Sequence, residues 1–286
     1  MGEERLRVIH FGDLHLWRFG WAMDPWPKRA LGLANLWLRR GKRFPVSVAE
    51  ALLARLGAET ADYVLFSGDL STTALPEEFA AGAAAFAPLH ERWGERLICI
   101  PGNHDRYTPR ATREQWFERY LPYAPHEYPL SRDLNAQWTL VAFDCCVPRL
   151  VTSRGRLEGT QFAKLDALLA AARARGRQVI VMGHYPLAFP AGVKSTLEHG
   201  LDGREEILGL LKKHGVRVYL HGHKHRRWRL EADGMVHFNC GSAGMTGGTP
   251  ERAPGYLKIE LAADGGAAAT ACVMDDVGPW REYEVK

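Results

Sequence analysis

A chain of 286 residues with 46% hydrophobic and 24% charged side chains is long enough to bury a full core and too apolar for a disordered polyelectrolyte. With 37 basic and 33 acidic residues the net charge is only +4, so nucleic-acid binding cannot be read from overall charge. The first residues lead straight into a strand with no secretory apolar region, and no stretch approaches the ~20 apolar residues of a membrane span, which predicts a cytoplasmic protein, peripheral to a membrane at most.

Residues 6–11 form an apolar run ending in Gly12-Asp13-Leu14-His15. Aspartate and histidine two apart on a turn after a strand can aim at one point; a turn aspartate beside a structural histidine is the plain alternative. Residues 17–44 hold Trp17, Trp21, Trp26 and Trp37 with Arg18, Lys28, Arg29, Arg39, Arg40, Lys42 and Arg43, against the single acid Asp24. Basicity is therefore local. Apolar residues at helical spacing predict a short amphipathic helix over 30–39. Tryptophan beside arginine and lysine suits a surface that is apolar on one side and anionic on the other, such as a lipid interface. A lid packed on its own domain, with its basic face solvated, and a nucleic-acid track are the other readings.

An amphipathic helix over 46–56 leads to a strand at 62–66 that ends in Ser67-Gly68-Asp69. A second helix over 77–93 returns the chain to a strand at 96–100 and the loop Pro101-Gly102-Asn103-His104-Asp105. Residues 107–133, rich in aromatics and proline, read as a cap over that loop. A strand at 137–143 ends in Asp144-Cys145-Cys146, a helix spans 160–175, and a strand at 178–182 delivers Gly183-His184-Tyr185. The loop 187–202 carries Lys194 and His199, the latter able to touch substrate but read first as a solvated surface histidine. A helix over 204–214 precedes a strand at 216–220 that ends in His221-Gly222-His223-Lys224-His225. The rhythm then changes to hairpins, 227–231 with 235–239 about Ala232-Asp233-Gly234, and 256–261 with 268–274.

Repetition of helix and strand followed by hairpins predicts one domain over 1–286, built from two packed mixed sheets with helices outside and the polar loops at one edge. Asp13, His15, Asp69, Asn103, His184, His223 and His225 would gather there. Oxygen and imidazole donors without thiolate suit manganese or iron, with zinc, cobalt or nickel as alternatives. The five cysteines, Cys99, Cys145, Cys146, Cys240 and Cys272, sit mostly in apolar runs and read as core thiols.

The motifs Asp13-Leu14-His15, Gly68-Asp69, Gly102-Asn103-His104-Asp105, Gly183-His184 and Gly222-His223-Lys224-His225, in this order, resemble the calcineurin-like metallophosphoesterase superfamily. That resemblance implies a four-layer αββα sandwich and two divalent or mixed-valence metal ions. One ion would be held by Asp13, His15, Asp69 and His225, the other by Asp69, Asn103, His184 and His223. It further implies His104 as proton donor or phosphate contact, oriented by Asp105. Asp144 and residues 155–165 are similar to the bacterial cyclic-nucleotide phosphodiesterase branch, from which Tyr185 departs, since a histidine often stands there. The implied reaction is hydrolysis of a phosphodiester or pyrophosphate-type bond by a metal-bridging hydroxide, on a small or lipid-linked substrate. Cyclic-nucleotide phosphodiesterase, phosphomonoesterase, nuclease and non-catalytic scaffold are the alternatives.

Overall fold

A computed structural model describes residues 5–18, 20, 29, 32, 41–193, 199–274 and 279–286. The helix expected over 30–39 lies almost wholly outside these residues, as does Lys194. Strand β1 (Leu6–Phe11) is followed by α1 (Val46–Ala58), β2 (Tyr63–Phe66), α2 (Pro76–Trp93) and β3 (Leu97–Cys99). Two short helices, α3 (Pro109–Arg113) and α4 (Trp116–Tyr120), precede β4 (Leu130–Asp133) and β5 (Trp138–Ala142). Then come β6 (Gly155–Arg156), α5 (Gly159–Ala174), β7 (Gln178–Met182), β8 (Leu201–Asp202), α6 (Arg204–Lys213) and β9 (Val218–His221). The last strands are β10 (Arg227–Ala232), β11 (Met235–Cys240), β12 (Gly255–Leu261), β13 (Ala267–Met274) and β14 (Trp280–Glu284).

These strands build two six-stranded sheets, β14-β13-β12-β1-β2-β3 and β10-β11-β9-β7-β5-β4, with β6 and β8 paired apart. Within the first, β1, β2 and β3 are parallel, and within the second β5, β7, β9 and β11 are parallel. Each parallel neighbour within β1–β3 and β5–β9 is reached by a crossover containing a helix, as parallel pairing requires. The β10–β11 turn places Asp233 and Gly234 at φ 56° and 76°, the left-handed pair that a two-residue hairpin needs.

Alternation along the strands sends Val8, Leu65, Leu257 and Ile259 inward to meet Leu140, Ile180, Val218, Leu220 and Phe238 from the other sheet. Opposite residues of the first sheet, Ile9, Phe11, Val64 and Phe66, pack under α1 and α2, while α5 and α6 cover the second. The result is the expected αββα sandwich. No helix among the described residues is long and apolar enough to cross a membrane.

Beyond Tyr107, the 107–133 stretch packs into the outer core rather than forming the cap the sequence suggested. Ala111, Trp116, Phe117, Leu121 and Ala124 are buried in the outer core, with Phe79 of α2 ring-packed on Trp116 and Tyr120, and β4 is simply the edge of the second sheet. Burying aromatics against α2 gains more than leaving them over a polar loop.

Three histidines, His10, His221 and His237, are fully buried behind the polar edge. Burial drives the His10 imidazole down to about 3 and holds His221 well below the usual histidine range, so they fold neutral. Below about pH 6.5 the unfolded chain binds protons that the native chain refuses, and stability is lost as pH falls. His10 alone is expected to remove about 2 kcal/mol between pH 7 and pH 5. Denaturant midpoints at the two pH values should differ less in His10→Gln than in wild type; an unchanged difference would show that another group sets the acid limit.

Candidate metal centre

The polar edge is assembled from loops that follow β1, β2, β3, β7 and β9, so both sheets contribute at the carboxyl ends of parallel strands. Glycines before the polar residues let these loops touch. A Cβ on Gly102 would lie 2.2 Å from Asp69 Oδ1, and one on Gly222 would lie 2.3 Å from Asp13 Oδ2. Larger residues would hold the carboxylates apart. Asp13, His15, Asp69, His223 and His225 all stand at positive φ, between 48° and 70°. Each such non-glycine residue costs on the order of 1 kcal/mol or more, strain that the packed sandwich must offset and that aims the side chains inward.

Two overlapping groups of donors result. In the first, His15 Nε2 and His225 Nε2 are 2.9 Å apart, and Asp13 Oδ1 is 3.1 Å from His225 Nε2 and 3.8 Å from His15 Nε2. Asp69 Oδ2 completes it at 3.6 Å from His15 Nε2. In the second, His184 Nε2 lies 3.4 Å from Asp69 Oδ2 and 3.0 Å from Asn103 Oδ1, which is 2.8 Å from His223 Nδ1. Asp69 thus belongs to both.

Hydrogen bonds on the far sides of the rings fix which nitrogens face inward with lone pairs. His184 Nδ1 donates to the Ser67 carbonyl at 2.9 Å, and His223 Nε2 donates to the His199 carbonyl at 3.1 Å. With the Asn103 amide oxygen turned inward, the second group therefore presents acceptors alone. A buried set of mutually facing acceptors is stable only around positive charge.

The electrostatics agree. Burial alone would raise the Asp69 carboxyl, but His184, His104 and His15 hold it well below the usual carboxylate range. Burial likewise opposes charge on His184, and Asp69 outweighs it, lifting that imidazole to about 10, so the positive charge these acceptors demand can be met at Nε2 by a proton, which a divalent ion bound there would replace. The donors present fit divalent metal: Asp13, His15, Asp69 and His225 could hold one ion, and Asp69, Asn103, His184 and His223 a second.

His104 and Asp105 part company. The Asp105 carboxylate accepts from the backbone N–H groups of Asp69, Leu70, Ser71 and Gly102 at 2.8–3.2 Å and from the Ser71 hydroxyl, so it ties two loops together and does not orient the His104 ring as expected. Burial, then the Asp69 charge, pushes its carboxyl up to about 6. His104 Nδ1 instead meets the Thr72 carbonyl, and its backbone N–H donates to Asp69 Oδ1 at 2.7 Å. A carbonyl only accepts, so His104 Nδ1 carries the proton and Nε2 is the nitrogen that can exchange one. Behind the loop, the buried Arg106 guanidinium bonds Asp144 at 2.9 Å and Glu118 at 3.0 Å.

A cavity of about 570 Å³ opens on these groups, bounded also by Tyr107, Leu150, Val151, His199 and Lys224. His199 is exposed, as read from sequence, and it also borders this cavity, with its carbonyl accepting from His223. Tyr185 is buried, with its ring 4.4 Å from that of His223 and its hydroxyl on the Ser153 carbonyl, so it supports His223 from behind. The basic insert touches the centre at its end: the Phe44 ring lies edge-on to His15 at 4.7 Å.

A double-sheet sandwich with this donor cluster at its edge holds a candidate two-metal centre. The family model for calcineurin-like phosphoesterases matches residues 6–227, and the chain belongs to that family. Its fold is similar to that of a dimetal phosphatase from Danio rerio, with a TM-score of 0.66 and 14% identity over 98% of this chain and 99% of the other. The anchor GAP50 of the Plasmodium inner membrane complex aligns at TM-score 0.54 and 13% identity, over 99% of this chain and 89% of the other. TT1561 of Thermus thermophilus aligns at 0.51 and 14%, over 93% and 98%. No curated protein sequence matches the chain significantly.

Proposed function

We propose that this phosphoesterase cleaves a phosphodiester or pyrophosphate-type bond with two metal ions held by the two donor groups that share Asp69. The observation that carries this reading is the overlap itself: seven inward donors, too many for one ion, form two groups that share the Asp69 carboxylate. Bound there, manganese, iron or a similar pair supplies Lewis-acid polarisation of phosphoryl oxygens and a more acidic water. The protein's own part is positioning. Asp69 and Asn103 fix the donor groups, and His104 stands at the cavity wall with Nε2 able to pass a proton to a departing oxygen.

The substrate side is read from the cavity wall. Leu150 and Val151 are 54% and 84% exposed, the large apolar side chains most open to water among the described residues, and both border the cavity. Lys224 faces it as a half-buried ammonium lying 5.9 Å from the Phe189 ring. An apolar rim beside a cation favours a phosphoryl group esterified to a partly apolar moiety, small or lipid-linked. Contact of the insert with an anionic lipid surface belongs to the same proposal.

A substrate panel with manganese tests it: bis(p-nitrophenyl) phosphate, p-nitrophenyl phosphate, cyclic AMP, single-stranded DNA and a nucleotide-linked acyl sugar. The diester is expected to be favoured over the monoester. A monoester preference above about tenfold in kcat/KM, about 1.4 kcal/mol of differential transition-state stabilisation, would reverse the assignment. Silence of metal-loaded protein on every substrate would turn the reading toward a scaffold, a role to which the likeness of fold to GAP50 gives a structural precedent.

A further inference from the structure

We infer that Arg29, a residue of the basic insert, is a positioning residue for His104, acting together with Glu78 on the loop of residues 72–75. The inference rests on the phosphoesterase reading above and adds to it a link between the insert and the chemical step. That loop joins the Asp69 turn to α2, and its backbone is gripped from two sides. The buried Glu78 carboxylate accepts from the N–H groups of Thr72, Thr73 and Leu75 at 3.3, 2.8 and 3.1 Å and from the Thr73 hydroxyl at 3.2 Å. Arg29 donates through Nε to the Thr73 carbonyl at 3.1 Å and through Nη2 to the Ala74 carbonyl at 2.8 Å. A buried carboxyl group thus collects the loop's N–H groups while a guanidinium collects its carbonyls, and the charge-assisted bonds of the guanidinium are stronger than neutral ones.

The grip holds a shape the loop would not choose. Ala74 sits at φ 54°, a left-handed conformation unfavourable for alanine by roughly 1 kcal/mol or more. What that shape delivers is Thr72. Its carbonyl meets His104 Nδ1, and its hydroxyl donates to the His15 carbonyl at 2.9 Å. Two histidines of the centre are therefore referred to one residue, whose neighbour Thr73 is bonded by both Arg29 and Glu78. Gly32, also from the insert, lies so close that a Cβ there would stand 2.8 Å from the Tyr107 hydroxyl and 3.2 Å from Thr73 Cγ2, and the Tyr107 ring stacks on His104 at 5.5 Å. Arg29 itself is 2% exposed. It cannot belong to a solvated basic face, and the bonds of its Nε and Nη2 end on the loop that seats the catalytic histidine.

Removal of the guanidinium should let the Thr72 carbonyl drift and free the His104 ring to exchange tautomers. In zinc-loaded protein, imidazole nitrogen shifts assigned by difference from His104→Ala should show a wild-type His104 protonated at Nδ1. Arg29→Ala should show averaged tautomers, Glu78→Gln a smaller change, and Arg29→Lys a partial return. On an alkyl phosphodiester with a poor leaving group, Arg29→Ala should lower kcat roughly 10- to 100-fold. On bis(p-nitrophenyl) phosphate the loss should be smaller, with KM changed less than about threefold and zinc content unaltered. The double variant Arg29→Ala/His104→Ala should be little slower than His104→Ala, because the first change acts chiefly through the second residue. An unchanged His104 tautomer in Arg29→Ala, equal losses on both substrates, or losses that multiply in the double variant would overturn the inference. Should Arg29→Ala not fold, Arg29→Lys and Glu78→Gln carry the same readouts. Wild-type protein that hydrolyses no phosphoester would overturn the functional reading, while the tautomer measurement would still decide for or against the Arg29 link.

Discussion

Asp69→Ala is expected to strip metal from both halves of the centre and to abolish hydrolysis, with wild-type protein prepared without chelator holding close to two ions per chain. The expectation follows from how many groups converge on this carboxylate. Its Oδ2 lies 3.6 Å from His15 Nε2 in one donor group and 3.4 Å from His184 Nε2 in the other, while Oδ1 accepts the His104 backbone N–H. Alanine would leave His184 with its Nδ1 bonded to a carbonyl and no anion opposite Nε2. The fall in kcat/KM should exceed the roughly 10²–10³-fold typical of deleting a single transition-state donor. His184→Ala, by contrast, should spare the group formed by Asp13, His15, Asp69 and His225 and retain about one ion. Metal analysis and turnover on the same samples decide the matter. Wild type that is fully active with one ion, or Asp69→Ala that keeps both, would defeat the shared-carboxylate arrangement.

How much of this was legible in the sequence depended on whether the signal lay in side chains or in backbone. Each Gly-Asp, Gly-Asn or Gly-His pair stood at the end of an apolar run, and the glycines prove necessary because the loops approach within distances no Cβ tolerates. Strand ends and site residues could therefore be read together. Asp105 misled for the opposite reason: a carboxylate beside a histidine looks like its partner, yet the turn at residues 102–105 directs it to four backbone N–H groups. Thr72 and His199 act on site histidines through carbonyls, which every residue has, so no residue type announces the role. Arg29 lay within a run of basic residues, and nothing in residue type set it apart, although among the described basic residues of that run it is buried while Arg18, Lys42 and Arg43 are exposed. The aromatics of 107–133 satisfied the pattern of a cap as well as that of an outer core layer, and only the position of Phe79 distinguishes them.

His104→Ala should leave metal content near that of wild type and lower turnover by roughly 10²–10⁴-fold on substrates with poor leaving groups. Metal is spared because the ring itself is placed outside both donor groups: Nδ1 is committed to the Thr72 carbonyl, and only the backbone N–H reaches Asp69. Turnover suffers because a leaving alkoxide needs a proton as the bond to phosphorus breaks, and Nε2 of the imidazolium whose Nδ1–H is held on the Thr72 carbonyl is the nitrogen from which it can come, leaving the ring neutral. A p-nitrophenolate departs without that help, so the same variant should lose far less on bis(p-nitrophenyl) phosphate. His104→Gln offers a further control, since its amide can donate a hydrogen bond to a phosphoryl oxygen but cannot transfer a proton. Recovery of activity on p-nitrophenyl diesters alone would separate the two roles. Equal losses for good and poor leaving groups, restored equally by glutamine, would reduce His104 to a phosphate contact and leave protonation of the departing oxygen to water in the cavity.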